Sequence, residues 1–230
     1  MSKPDIRVII PAFNEQNAVG LVIDEIPKDL VSEIIVIDNG STDDTFRIAQ
    51  QAGATALKEP RKGYGQACLK GMQHIASSPN LPDIVVFIDG DHSDYPNEMP
   101  KLTGPINSGD VDMVIGSRSL GIKEKGSMTP QQIFGNWLAT FLIKRLYGVK
   151  YTDLGPFRAI RYSSLVGLGM SDTNYGWTVE MQLKAAKQNL RVLDIAVNYR
   201  RRIGVSKVSG TLKGTIMAGY KIIFTIFKYW

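Results

Sequence analysis

A single cysteine, Cys68, stands among the 230 residues. An internal disulfide and a thiolate cage for a metal are both excluded, and a reducing, cytoplasmic setting is the expectation. Cys68 itself reads as a small buried residue on a helix. Long apolar runs are missing too. No uninterrupted stretch reaches the ~20 residues of a membrane span, and residues 1–5 lead straight into a strand pattern without a signal-peptide apolar region. Two common nucleotide signatures are absent. There is no G-x-x-x-x-G-K-[ST], and PAFNE at 11–15 stands where a dinucleotide-binding G-x-G-x-x-G would follow the first strand. Internal repeats and low-complexity segments are also lacking.

What is present is a composition 43% hydrophobic and 21% charged, sufficient for one sizeable core. The net charge of +5 suits phosphates, an anionic membrane face or nucleic acid. The cations are neither laid along one helix nor interleaved with aromatics as in a nucleic-acid module, so nucleic acid is not an expected partner.

Short β-branched runs at 6–10, 33–37, 54–58, 84–88 and 112–115 alternate with helical patterns at 19–26, 42–52, 65–76 and 97–107. Strands without a polar face, alternating with helices, predict an α/β chain with a mostly parallel sheet covered on both sides. Ligands in such sheets bind beyond the carboxyl ends of the strands. Residues 11–15, 38–41, 89–91 and 116–118 bring acids, amides and an arginine to that edge. Further on, 119–130 reads as a mobile loop. Residues 131–147 read as an amphipathic helix, expected to pack on the core, with a lipid-facing surface as the alternative. Helix is predicted at 175–188, strand at 191–197, a basic irregular segment at 199–210 and helix at 211–230. The expected organisation is one domain over 1–210 and a terminal amphipathic helix over 211–230, lying in a membrane interface or docked on protein.

Asp89-Gly90-Asp91 closes the fourth apolar run. Side chains two apart on a strand point the same way, so the two carboxylates repel unless a cation or donor lies between them. A hard divalent ion, Mg2+ or Mn2+, shared with substrate phosphates answers that arrangement. Gly63-Tyr64-Gly65 opens the third helix, where amides can face an anion or simply make a tight entry.

PAFNE at 11–15, IDNGSTDDT at 37–45, GYGQA at 63–67, DGD at 89–91 and GSR at 116–118 together resemble a family 2 glycosyltransferase of the GT-A, Rossmann-like fold. TDLGPFRAIR at 152–161, GWTVEMQ at 176–182 and YRRRIGVSKVSGT at 199–211 resemble the dolichyl- or polyprenyl-phosphate sugar synthases within it. The resemblance implies that Pro11, Ala12, Glu15, Asp38, Gly63, Asp89 and Gly90 bind the nucleotide sugar. It makes Asp91 the principal metal ligand, with Asp89 beside it, and Arg118 a helper against the diphosphate. Arg202 and Lys207 would contact phosphates. Asp153 would orient the acceptor or act as a base. Glu180 would face the acceptor cavity or form a structural ion pair. The chain departs from the family pattern at Asn39, where a second acid is common, and at Ser93 and Asp94, where glutamine and histidine are common. Asp94 reads as a cap before Tyr95-Pro96, with a third acid near the ion as the alternative.

The resemblance implies inverting transfer of a hexose from a GDP- or UDP-sugar. The expected acceptor is a polyprenyl (dolichyl-type) monophosphate at the cytosolic membrane face, which is largely ionised and needs no base. The alternative is a soluble hydroxyl acceptor, a sugar or glycerate derivative, which needs a carboxylate within reach.

Overall fold

The unbroken branched run near the amino terminus becomes β1 (Ile6–Ala12), every residue of which is buried. Residues 3–204 and 212–230 are described in this computed structural model; Lys207 lies outside them. Around β1 stand β2 (Glu33–Asp38), β3 (Thr55–Lys58), β4 (Ile84–Phe87), β5 (Met113–Ser117), β6 (Arg158–Arg161) and β7 (Val192–Ala196). They form one sheet in the order β3-β2-β1-β4-β6-β5-β7. β1 pairs parallel with β2 and β4, β2 with β3, and β5 with β7, while β6 runs antiparallel to both β4 and β5.

The period of two sorts side chains to opposite faces. Ile9, Ile35 and Val85 enter one core, and Val8, Val36 and Val86 the other. The first core is covered by α3 (Tyr64–Ala76), α5 (Pro130–Tyr147), α6 (Tyr162–Leu168) and α7 (Trp177–Lys187), the second by α1 (Val19–Glu25) and α4 (Met99–Asn107). α2 (Thr45–Gln51) begins three residues later than its pattern suggests, because Asp43 accepts from the Thr45 amide and holds the approach as a turn.

β6 and α6 are not foreseen by the sequence patterns. β6 is four residues long and carries two arginines, so it has no apolar run to announce it. Arg158 is nevertheless fully buried. Its guanidinium donates to the carbonyls of Leu154, Gly155 and Thr178, which supply the partners a buried cation requires. The loop at 119–130 is tied down: the Glu124 amide donates to the Tyr199 carbonyl, and Tyr199 donates back to Ile122.

α5 differs from the expected core helix. Only Ala139 and Ile143 are buried on it, while Ile133, Phe134, Trp137 and Phe141 are exposed. Its inner side receives α8 (Leu212–Lys228): the Tyr147 hydroxyl donates to the Ile226 carbonyl at 2.6 Å.

A second tether fixes α8 to α7. Glu180 is fully buried and accepts from Tyr229 Oη at 2.6 Å, the Asp172 amide at 2.7 Å and Ser171 Oγ at 2.8 Å, with Lys184 Nζ also at 2.8 Å. Burial opposes its charge, but these donors outweigh burial and hold its pKa at about 2. A carboxyl depressed from 4.5 stabilises the fold above that pH and ceases to do so as the pH falls toward 2. Glu180→Gln should therefore cost about 2 kcal/mol at pH 7 in urea unfolding. The deficit should shrink below pH 4.5; a constant deficit down to pH 3.5 would remove the charge from the explanation.

Candidate active site

The tips of β1, β2 and β4 meet the start of α3, the loop at 171–176 and the segment at 199–204 around a cavity of about 320 Å³. Pro11, Ala12, Phe13 and Glu15 line it from the first tip, Asn39 from the second, and Asp89, Gly90 and Asp91 from the fourth. Lys62, Gly63, Tyr64 and Ala67 close one side, and Asn174, Tyr175 and Arg202 the other.

Asp89 and Asp91 face this space together. Tyr64 Oη donates to Asp89 at 3.0 Å. Burial and then the Asp91 charge raise the Asp89 carboxyl above its ordinary range, and the Tyr64 hydrogen bond only partly offsets this. Asp91 accepts from the Ser93 amide at 2.9 Å and Ser93 Oγ at 2.5 Å, which fixes one oxygen. Its other oxygen lies 3.2 Å from Arg202 Nη1, while Arg202 Nη2 reaches Glu15 at 3.0 Å. One guanidinium thus bridges two acids from two strand tips.

Backbone pairing delivers that arginine. The Ile203 amide donates to the Asp91 carbonyl at 3.0 Å and the Arg200 amide to the Ser93 carbonyl at 2.9 Å. The basic segment therefore lies along the acidic loop. Its other arginines are structural: Arg200 pairs with Glu25 at 2.6 Å, and Arg201 donates to the Lys125 carbonyl at 2.7 Å.

The remaining sequence candidates take other places. Asp38 is buried, accepts from the Ser41 amide at 3.0 Å and does not line the cavity. Its neighbour Asn39 does, but its side chain is engaged: it donates to the Glu59 and Arg61 carbonyls and accepts from the Gly63 amide at 2.7 Å. That bond, with the Gln66 amide donating to the Thr173 carbonyl, removes two amides at the start of α3 from any anion. Gly63 instead permits close approach, since a Cβ there would lie 2.1 Å from the Thr173 carbonyl oxygen. Arg118 and Asp153 form a buried bidentate pair, with contacts of 2.6 and 2.9 Å, behind the cavity wall. Neither lines the cavity, nor does Glu180.

Asp94 is not a cap, since its carboxylate accepts no hydrogen bond from the amides of the turn at Pro96–Glu98. The Asp94 carboxyl is 1% exposed, and neither oxygen has a hydrogen-bond partner among the described residues. Burial, followed by the Asp89 charge, pushes it well above the usual carboxylate range despite nearby Arg118.

Phe13, Lys62, Tyr64, Ala67, Asn174 and Tyr175 also line the cavity and are not among the sequence candidates. Tyr64 sits inside the Gly63–Gly65 motif and carries a local signal. Asn174 and Tyr175 come from the loop that abuts those glycines, a contact more than 100 residues away in the chain.

The donor set suits a cation held jointly with a ligand. No group of three or more His, Cys, Asp or Glu among the described residues would hold a metal alone. Two adjacent carboxylates fit a hard ion that takes its other ligands from diphosphate oxygens and water, and the guanidinium beside Asp91 marks where positive charge is favoured.

The model of Glycosyl transferase family 2 matches residues 7–168. The chain belongs to this family. An uncharacterized glycosyltransferase of Mycobacterium tuberculosis is 33% identical over 95% of this chain and 96% of its own length. An undecaprenyl-phosphate mannosyltransferase of Micrococcus luteus is 27% identical over 91% and 89%. Glucosyl-3-phosphoglycerate synthase from M. tuberculosis, solved with Mn2+, UDP-glucose and phosphoglyceric acid, superposes with a TM-score of 0.75 at 26% identity. The match covers 98% of this chain and 79% of that one. The sheet is thus the GT-A sheet of an enzyme that uses a nucleotide-sugar donor.

Two outcomes follow from the charges. Folding takes up a proton at Asp94 once the pH exceeds the ordinary carboxyl range, so stability is lost as pH rises. Asp94→Asn should gain about 1–2 kcal/mol at pH 8 and nothing at pH 4 in denaturant titrations of the cation-free protein. An equal gap at both would show that ionisation is not the cause. Arg202→Ala should tighten Mn2+ binding without nucleotide by about tenfold in calorimetry, because the competing cation is gone. Weaker binding would mean that Arg202 organises the acids instead.

Proposed function

We propose that this enzyme transfers a hexose from a uridine-type nucleotide sugar to a small phosphorylated hydroxyl acceptor by one inverting displacement. The observation that carries the donor half is the meeting of Asp89, Asp91, Glu15 and Arg202 in one cavity at the strand tips. Glu15 is suited to accept from a ribose hydroxyl, Asp91 and Asp89 to hold Mn2+ or Mg2+, and Arg202 and Lys62 to neutralise phosphate. The cation, when bound, offsets the negative charge that grows on the leaving diphosphate. Arg202 then has a phosphate oxygen to bind in place of Asp91, and Phe13 and Lys62 bound the side where a base can lie, the Lys62 ammonium 5.0 Å from the Phe13 ring centre. The solved relative that binds UDP-glucose, Mn2+ and phosphoglyceric acid supports this donor and acceptor class.

A second reading, a polyprenyl monophosphate acceptor, has one structural observation in its favour. Asp153, the candidate base for a hydroxyl acceptor, and Glu180, the other acid expected near the acceptor, are both bound elsewhere and do not line the cavity. An ionised phosphate needs no such base. The similarity to an undecaprenyl-phosphate mannosyltransferase agrees with it.

The test incubates UDP- and GDP-hexoses with Mn2+ and either phosphoglycerate or undecaprenyl phosphate, and follows product by mass spectrometry. A glycosylated glycerate supports the first reading and a lipid-linked sugar the second. Transfer should vanish with EDTA and fall at least about 100-fold in Asp91→Ala. Turnover indifferent to both changes would overturn the assignment of the site.

A further inference from the structure

We infer that the outer sides of α5 and α8 form a docking surface for an anionic lipid bilayer, and that α8 links this surface to the cavity wall. The inference concerns where the enzyme works and holds for either acceptor.

On α5, Phe134, Trp137 and Phe141 recur at spacings of three and four and therefore lie on one stripe. All three are more than half exposed, and their rings follow one another at centroid distances of 5.8 Å. On α8, Tyr220 and Phe224 stack at 6.1 Å and stand exposed with Phe227, while Trp230 is 71% exposed just beyond the helix. Single exposed apolar residues are ordinary, whereas rows of exposed aromatic rings on two adjoining helices mark a contact surface. Among the described side chains, Ala139 and Ile143 of α5 and Thr225 and Ile226 of α8 are buried, so these helices also have a covered side.

Charge selects the occupant. Neither the 18 residues of α5 nor the 17 of α8 include an aspartate or glutamate. Lys144, Arg145 and Lys228 are exposed at their ends. A second copy meeting this surface through a two-fold axis would set cations against cations. Anionic headgroups complement it, with each basic residue contributing about 1 kcal/mol near the surface, while Trp, Tyr and Phe rings suit the boundary between headgroup and acyl chain. Among the described residues no helix is long and apolar enough to cross a membrane, so these helices lie on the bilayer.

Two bonds tie α8 to the cavity. Lys221 pairs with Asp172 at 3.0 Å, and Tyr229 donates to Glu180, which in turn holds the Ser171 and Asp172 amides. Asp172 also accepts from the Asn174 amide at 2.8 Å. Asn174 and Tyr175 line the cavity. Seating α8 on a bilayer steadies that wall.

The test floats the full chain with phosphatidylcholine vesicles, with and without phosphatidylglycerol, in the absence of donor and acceptor. Binding should require the anionic lipid and weaken with salt. Trp137→Ser with Phe224→Ser, and separately Lys144→Glu with Arg145→Glu, should each weaken it by about tenfold or more. Each variant is checked by circular dichroism and by undiminished Mn2+–UDP binding. Hydrogen exchange at 171–176 should slow on vesicles in the parent chain and not in Tyr229→Phe. Failure to float with anionic vesicles at low salt, or indifference to both pairs of substitutions, overturns the surface. So does a dimer that either pair dissolves. Unchanged exchange at 171–176 overturns the link. None of these readouts depends on sugar transfer, so an inactive preparation leaves the outcome intact.

Discussion

Like charge held at close quarters is the constraint around which this molecule is arranged. The turn just beyond β4 brings Asp89 and Asp91 to one cavity, and the Ile203 amide, donating to the Asp91 carbonyl, helps to hold that turn in place. The fold answers the repulsion with Ser93, Tyr64 and Arg202. Of these only Arg202 brings a full charge. It comes from a segment more than 100 residues downstream, which pairs with the acidic loop through backbone bonds. Under the proposed function, the guanidinium that balances Asp91 here would be free to turn to a donor phosphate once a cation took its place beside the carboxylate.

The same accounting explains why the second half of the chain packs as it does. The loop at 171–176 presses on the start of α3 so closely that Gly63 and Gly65 have no room for a Cβ. A contact of that kind needs a rigid backing, which Glu180 supplies from inside α7 by accepting from two loop amides and from Tyr229 on α8's far end. The Glu180 carboxylate thus braces the start of the loop that carries Asn174 and Tyr175 to the cavity. Arg118 and Asp153 do similar work behind β5, where the guanidinium also lies 5.1 Å from the Tyr199 ring centre and so steadies the basic segment.

How much of this the sequence discloses depends on how local each signal is. β1, β2 and β4 are legible because branched apolar runs have one outcome when both faces are covered. The DGD turn is legible because two acids at that spacing have few structural uses. β6 is illegible: its burial depends on three carbonyls brought to Arg158 from residues 154, 155 and 178. The same limit applies in the site. Asp153 and Glu180 stand in recognisable motifs, yet whether such an acid faces substrate or an arginine is decided by packing across the sheet. Asn174 and Tyr175 have no motif at all, and only the fold places them on the cavity.

α5 shows where pattern and packing part company. The sequence reads as an amphipathic helix whose apolar side should pack on the core, yet the protein buries only Ala139 and Ile143 of it. Burying Phe134, Trp137 and Phe141 against protein would contribute roughly 1.5–3 kcal/mol for each ring fully covered. The described residues leave that contribution unrealised, and α8 repeats the situation with Tyr220, Phe224 and Phe227. The cations at the helix ends, and the lack of any acid in either helix, are the features that the proposed anionic bilayer would complement.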